Sequence, residues 1–249
     1  MYQERFYRSQ VSSACTLEVS FKETDLLICS DTALAKQAVL EIVKKYYQEI
    51  EAYCKLHPEF ITSLSSLDLD PAAPPIVQDM LEVCQKTGIG PFAGVAGAIA
   101  QYVGNALKDQ AGDLIIENGG DIFLSISRDI AMGVYLGDNF SYRAPQQVQD
   151  GPLDTLVLRV KKRDTPFGIA SSSAYIGHSL NFGKADLVTL VAKSATIADS
   201  FVTALSNRVK RKTDIGPLLD MVKQNPDLYG ALIAFEGNIF IWGEIEFDG

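Results

Sequence analysis

From Thr87 to Leu107 the chain carries no formal charge, and Gly88, Gly90, Pro91, Gly94, Gly97, Gln101, Gly104 and Asn105 interrupt its apolar residues. About 20 apolar residues can cross a bilayer, so length alone admits a membrane helix. The composition does not, because the stretch is too small and too polar for a stable span. It reads instead as a tightly packed segment of a soluble protein, with no membrane partner. Pro91 stands where a first helical residue would, after two glycines that permit a tight turn, so a glycine-rich turn feeds a helix over 91–104. Free N–H groups at such a helix start suit a phosphate. Small residues that merely let a helix pack closely explain the same glycines.

The rest of the composition bounds the fold and the partners. With 249 residues and 47% hydrophobic content the chain can fill a real core, which excludes a disordered protein. We expect one α+β domain over 1–249, with a possible subdomain boundary in the proline-rich connection 68–76. A formal charge of −9 argues against nucleic acid or an anionic membrane as the main partner. The charged start MYQERFYRSQ is not a secretory signal, so a cytoplasmic location is expected. Cys15, Cys29, Cys54 and Cys84 form no CxxC pair, and with two histidines a zinc site is hard to assemble. The oligomeric state is not legible.

Local patterning supplies the elements. CTLEVSF and LLICS around a polar turn read as two strands, and apolar spacing predicts a long helix over 33–56, capped by Ser30 or Asp31. A second helix is expected near 76–85. The run LIIENGGDIF is two strands about a tight turn at Asn118, Gly119, Gly120 and Asp121, forming a hairpin over 113–127. Leu153–Val160 and a buried run over 186–192 are further strands, while the stretch between the hairpin and Leu153, and again 165–183, read as loop. Ser194 caps a helix over 195–209, a short helix follows near 214–222, and a final hairpin turns at Glu236 and Gly237.

Three segments could carry chemistry: the glycine turn, the GGD element, and Ala198-Asp199-Ser200-Phe201-Val202-Thr203. Asp199 and Thr203 are four apart on a helix, so their oxygens emerge on one face, where a hard cation such as magnesium could use both. An aspartate making a local helix contact is the plain alternative. Asp121 could equally be solvated or bonded to nearby backbone. His178, in a charge-free Ser/Gly-rich loop, could act as a general base or as a donor to a ligand, although a lone histidine is often structural. Ser171, Ser172 and Ser173 could donate to phosphate, as could any serine run in a turn. No Lys/Arg cluster is seen beside these motifs to offset an anion.

Taken in order over residues 88–207, these segments resemble the ApbE-type family, the FAD:protein FMN transferases. LIIENGGDIF is similar to that family's strand-NxGGD-strand element, and VTLVAKSATIADSFVTALSN to its strand, cap and ADxxxTA helix. Gly94-Val95-Ala96 resembles its G-I-A segment. The resemblance implies an ApbE-like α+β fold, mainly antiparallel sheet with packed helices. It implies a metal site of Asp199, Thr203 and the Ala96 carbonyl, and a flavin-nucleotide pocket lined by Gly94, Asn118, Gly119, Gly120 and Asp121, with Ser171–Ser173 near the T-S-G loop. Gly97 replaces the family's lysine, and its H-x-x-D-P-x-T-G loop survives only as His178-Ser179-Leu180-Asn181-Phe182-Gly183.

The activity implied is magnesium-dependent transfer of FMN from FAD to an acceptor protein, with His178 as base, or FAD pyrophosphate hydrolysis if water is the acceptor. A flavin or nucleotide binder without transferase chemistry, and a changed substrate on the same scaffold, stand beside it.

Overall fold

Period-two alternation in residues 15–30 produces a hairpin of β1 (Cys15–Phe21) and β2 (Thr24–Ser30), paired from Phe21↔Thr24 to Cys15↔Ser30. A computed structural model describes residues 13–136, 155–174 and 181–247. In it β2 pairs with β3 (Leu114–Asn118), which pairs with β4 (Asp121–Ser125). The hairpin expected over 113–127 is therefore present. Its turn places Gly119 and Gly120 at φ of 71° and 105°, as a two-residue primed turn requires.

The strand β5 (Ile130–Tyr135) and its partner β6 (Thr155–Val160) leave this sheet and form a second, three-stranded one with β11 (Ile245–Phe247). The first sheet continues from β4 through β7 (Phe167–Ser172), β8 (Leu187–Ala192), β9 (Leu228–Phe235) and β10 (Asn238–Gly243). Each pair in both sheets is antiparallel.

Six α-helices are present in the described chain: α1 (Lys36–Leu56), α2 (Glu59–Thr62), α3 (Pro75–Thr87), α4 (Val95–Ala111), α5 (Ala195–Arg208) and α6 (Ile215–Gln224). One cluster packs α1, α3 and α4 on β1–β4 through residues such as Val43, Met80, Val103 and Phe123. A second packs α5 and α6 on β7–β9. On the other face of the large sheet, Leu124, Ile169, Val191 and Leu232 meet Leu156 and Leu158 of the small one. The result is helices, large sheet, small sheet, in three layers. The helices on either side of the 68–76 connection share the first cluster.

Several boundaries differ from expectation. The loop expected over 165–183 contains β7, whose Phe167–Ala170 are fully buried. A strand covered on both faces loses the alternation that betrays strands in sequence. The same cause makes every residue of β8 buried. Likewise β5 occupies a region expected to be loop. The first long helix starts at Lys36 without a side-chain cap, because Ser30 Oγ donates to Thr32 O at 2.8 Å and Asp31 Oδ2 accepts the Asp113 N–H. The segment after Pro91 is a 3-10 turn over Pro91–Gly94 before α4 begins.

Candidate functional site

The helix α5 starts at Ser194, whose hydroxyl accepts the Ile197 N–H at 3.2 Å, the cap expected from sequence. Every residue from Ala195 to Ser206 is buried, so its polar side chains face protein on all sides. Asp199, Thr203 and Ser206 follow i, i+4, i+7 spacing and share one face.

Asp199 Oδ2 accepts the Gly97 N–H at 2.9 Å, and the neighbouring Ala96 N–H adds a smaller favourable pull on this carboxylate. These are among the first N–H groups of α4, which has no side-chain cap of its own. Asp199 therefore caps α4 from across the helix interface. The helix start that the sequence offered to a phosphate is taken by the protein's own carboxylate, because an aspartate on a crossing helix satisfies the same orphan donors. The exchange is reciprocal: the Ala195 N–H at the start of α5 donates to Gln101 Oε1 of α4 at 2.8 Å.

The glycines allow this approach. A Cβ on Gly97 would lie 2.7 Å from Asp199 Cβ and closer still to the Ala195 carbonyl, and one on Gly94 would strike the Ser200 hydroxyl. Close helix packing thus accounts for Gly94 and Gly97 directly. Burial pushes the Asp199 carboxyl up to about 7, against the pull of the Gly97 and Ala96 N–H groups. No lysine or arginine pairs with it among the described residues.

The β3–β4 turn joins this arrangement through Asn118, whose Nδ2 donates to the Ala96 carbonyl at 3.1 Å. Asp121 pairs with Asn118 in register, next to Ala170 of β7, and shares the helix-facing parity of Phe123. The Gly120 N–H donates to Glu117 Oε1 at 2.9 Å, and a Cβ on Gly120 would stand 4.0 Å from the Ser171 carbonyl. Residues more than 100 apart in sequence, Ala96, Gly97 and Asp199, therefore meet at one helix start beside the GGD turn.

The serines divide. Ser172 lies on the helix side, where Asn181 Nδ2 bonds both its hydroxyl, at 3.2 Å, and Ser206 Oγ, at 2.6 Å. Ser171 projects to the opposite face, bonded to Thr189 Oγ1 at 2.9 Å in the layer between the sheets. Successive strand residues face opposite ways, so Ser171 and Ser172 cannot serve one pocket through their side chains. Ser173 is buried just past the strand. His178 lies outside the described residues.

Gln101, Asn181 and Ser206 belong to this polar network without having been singled out in the sequence. Ser206 left a signal there as the i+7 continuation of the Asp199–Thr203 spacing, and Asn181 as part of the His178–Gly183 loop. A further carboxylate, the half-buried Asp79 of α3, accepts the Thr196 hydroxyl at 2.9 Å, and desolvation raises its pKa. The absence of a basic cluster beside the motifs is corrected by Arg208, Lys210, Arg211 and Lys212, which follow at the end of α5.

Among the described residues no three His, Cys, Asp or Glu side chains gather in a metal-binding group. A site of one carboxylate, one hydroxyl and one carbonyl is of a different kind. Among the described residues Asp199 fits a hard cation in being a buried carboxylate with no basic partner, and the Thr203 hydroxyl one turn on has no side-chain hydrogen bond there. The Ala96 carbonyl fits less well: inside α4 it faces the N–H four residues on, and it already accepts from Asn118.

Comparison with known proteins agrees with this fold. A family model described as AbpE bacteria matches residues 8–231. The UPF0280 protein of Methanocaldococcus jannaschii is 33% identical over 230 residues, covering 91% of this chain and 90% of that one. That of Methanococcus maripaludis strain C5 is 35% identical over 195 residues, covering 76% and 74%. Among solved structures, the flavin transferase ApbE from Vibrio cholerae superposes with a TM-score of 0.57 at 10% identity, covering 92% of this chain and 96% of that one. The apo flavinyl transferase ApbE of Pseudomonas stutzeri gives 0.53 at 11% identity, covering 92% and 93%. At these identities the structures share a fold with this chain. No described helix is long and apolar enough to cross a membrane.

Proposed function

The chain belongs to the family described as AbpE bacteria, a divergent branch of the ApbE-type superfamily, and on that premise we propose that it is a magnesium-dependent flavin-nucleotide enzyme. It cleaves the pyrophosphate of FAD and passes FMN to an acceptor hydroxyl. The observation that carries this reading is the meeting of Asp199, Ala96 and Asn118 at the start of α4.

Asp199 and Thr203 would hold the magnesium, with the Ala96 carbonyl available to it only if the Asn118 amide turned away. Magnesium bound there would offset the charge developing on the phosphates. The chain's own residues do the rest. The Asn118–Asp121 turn, with Gly120 leaving room beside the Ser171 backbone, would receive the flavin nucleotide. Ser172 and Asn181 would hold the far wall next to α5. His178 would take the proton of the attacking hydroxyl as the phosphorus–oxygen bond to AMP breaks. Water in place of the acceptor makes the same site a FAD pyrophosphatase.

A specific observation favours a second reading. The Asp199 carboxylate is already bonded to the Gly97 N–H, and the Cβ space at Gly97, where the family has a lysine, is taken by helix contact. A flavin binder without turnover would keep both features.

The deciding experiment incubates the purified protein with FAD and magnesium and separates FAD, FMN and AMP. AMP with protein-bound flavin means transfer, and equal AMP and FMN means hydrolysis. Tightly bound, intact FAD means a binder, and no flavin binding rejects all of these.

A further inference from the structure

Where α5 ends, the charge of the chain reverses. Arg208, Lys210, Arg211 and Lys212 stand within five residues, all exposed, in a protein of net charge −9. Exposed Lys184 joins them, because its N–H donates to the Val209 carbonyl at 2.8 Å. None of these five has a carboxylate within ion-pair distance among the described residues.

The partners they do have are neutral. Lys210 Nζ donates to the Phe182 carbonyl, Arg208 Nη1 is 3.4 Å from Met221 Sδ, and Lys212 Nζ donates to Asn238 Oδ1 at 3.2 Å. Asp214 accepts from the Lys210 and Arg211 backbone N–H groups. The negative end of the α5 dipole accounts for Arg208 in its last turn, but Lys210–Lys212 lie past the helix end.

This face is continuous with the site described above. Phe182, 56% exposed, follows Asn181, whose amide bonds Ser206 and Ser172, and the Phe182 N–H is held by Asn207 Oδ1 at 2.7 Å. Along α5, nine residues separate Arg208 from Asp199, about 13 Å at the helical rise. A group docked on the basic face would stand next to the site without filling it.

We propose that Lys184, Arg208, Lys210, Arg211 and Lys212, with Phe182 at their edge, dock an acidic segment of a polypeptide partner. The chemistry selects that class. Cations spread over two exposed segments with no convergent buried donor suit an extended chain of carboxylates better than a single phosphate group. A long nucleic acid would run off this patch onto a surface dominated by like charge. The net charge of this protein repels an acidic partner, so a patch of unpaired cations also orients the encounter. Phe182 supplies the apolar anchor that a polypeptide can cover. On the transfer reading above, the partner is the flavin acceptor.

The test uses the full chain and a labelled peptide of about twelve residues alternating Glu and Ser, followed by anisotropy at about 50 and 300 mM NaCl. A Lys–Ser peptide and a single-stranded DNA of similar length are the comparators. The Glu–Ser peptide should bind, weakening at least about tenfold at the higher salt and at least about tenfold in Lys210→Glu/Arg211→Glu/Lys212→Glu. Circular dichroism checks that the triple variant is folded, and Arg211→Glu alone should give a smaller loss in the same direction. FAD affinity should be unchanged in both. Binding equal to the parent's in the folded variants, no binding of the Glu–Ser peptide, or tighter binding of the DNA would each overturn the proposal. Asp199→Asn separates the two ideas: it should lose magnesium-dependent FAD binding and keep the peptide, and retained FAD binding there rejects the metal site while leaving the docking result intact.

Discussion

The Asp199 carboxylate, 5% exposed on α5, accepts the Gly97 N–H of α4 at 2.9 Å, so one side chain both caps a neighbouring helix and stands at the proposed metal position. Those two roles have opposite consequences for substitution. Asp199→Asn keeps one carbonyl oxygen for the Gly97 N–H but removes the buried charge. We expect it to fold with stability at pH 8 no lower than the parent's, and to lose at least about tenfold in magnesium affinity by calorimetry, the size of one charged ligand. Thr203→Val, close in shape, should lose less. Parent-like magnesium and FAD binding in both would leave Asp199 as a cap alone.

The same carboxyl makes magnesium binding pH-dependent. Its folded-state pKa of about 7 lies above the ordinary 3.8, so the folded protein holds a proton that the unfolded chain releases. Its contribution to stability is present at low pH and declines as pH rises from 3.8 to about 7. Magnesium competes with that proton. The rise in Tm on adding magnesium should therefore be larger at pH 8 than at pH 5.5, and an equal rise at both would place the metal elsewhere.

Gly97→Ala adds one methyl group where Asp199 Cβ would be 2.7 Å away and the Ala195 carbonyl closer. Overpacking of this kind costs about 1–3 kcal/mol. Denaturant unfolding should show that loss, whereas the same change at Gly216, where a Cβ meets nothing within 4 Å, should not destabilise. Equal stability of the two variants would show that α4 and α5 can separate freely.

Gln101→Leu leaves the buried Ala195 N–H without its acceptor, a loss of about 1–3 kcal/mol. Gln101→Glu retains the acceptor oxygen and should recover most of the hydrogen bond. The pair distinguishes the bond from packing: if Leu and Glu are equally stable, the reciprocal capping of the two helices is not what holds them in register.

Asp79 offers a titration away from the proposed metal. Burial raises its pKa, so stability attributable to it falls as pH climbs above 3.8. Asp79→Asn can still accept the Thr196 hydroxyl and no longer titrates. Its Tm should vary less with pH than the parent's between about pH 4 and 7, and an unchanged slope would assign the pH dependence to other groups.

Elements governed by local chemistry could be read directly from the chain. The Asn118-Gly119-Gly120-Asp121 turn, the Ser194 cap and the Asp199/Thr203 spacing depend on residues within a few positions of one another, so sequence determined them. So did the family resemblance, which follows the order of those local motifs. Strand β7 could not be read this way, because a strand buried on both faces has no alternation, and neither could the parity that sends Ser171 away from Ser172. Tertiary structure alone decided what the glycine-rich helix start binds. A free N–H group has no preference between a phosphate and a carboxylate, and only the crossing of α4 and α5, made possible by Gly94 and Gly97, brings Asp199 from 102 residues away to satisfy it.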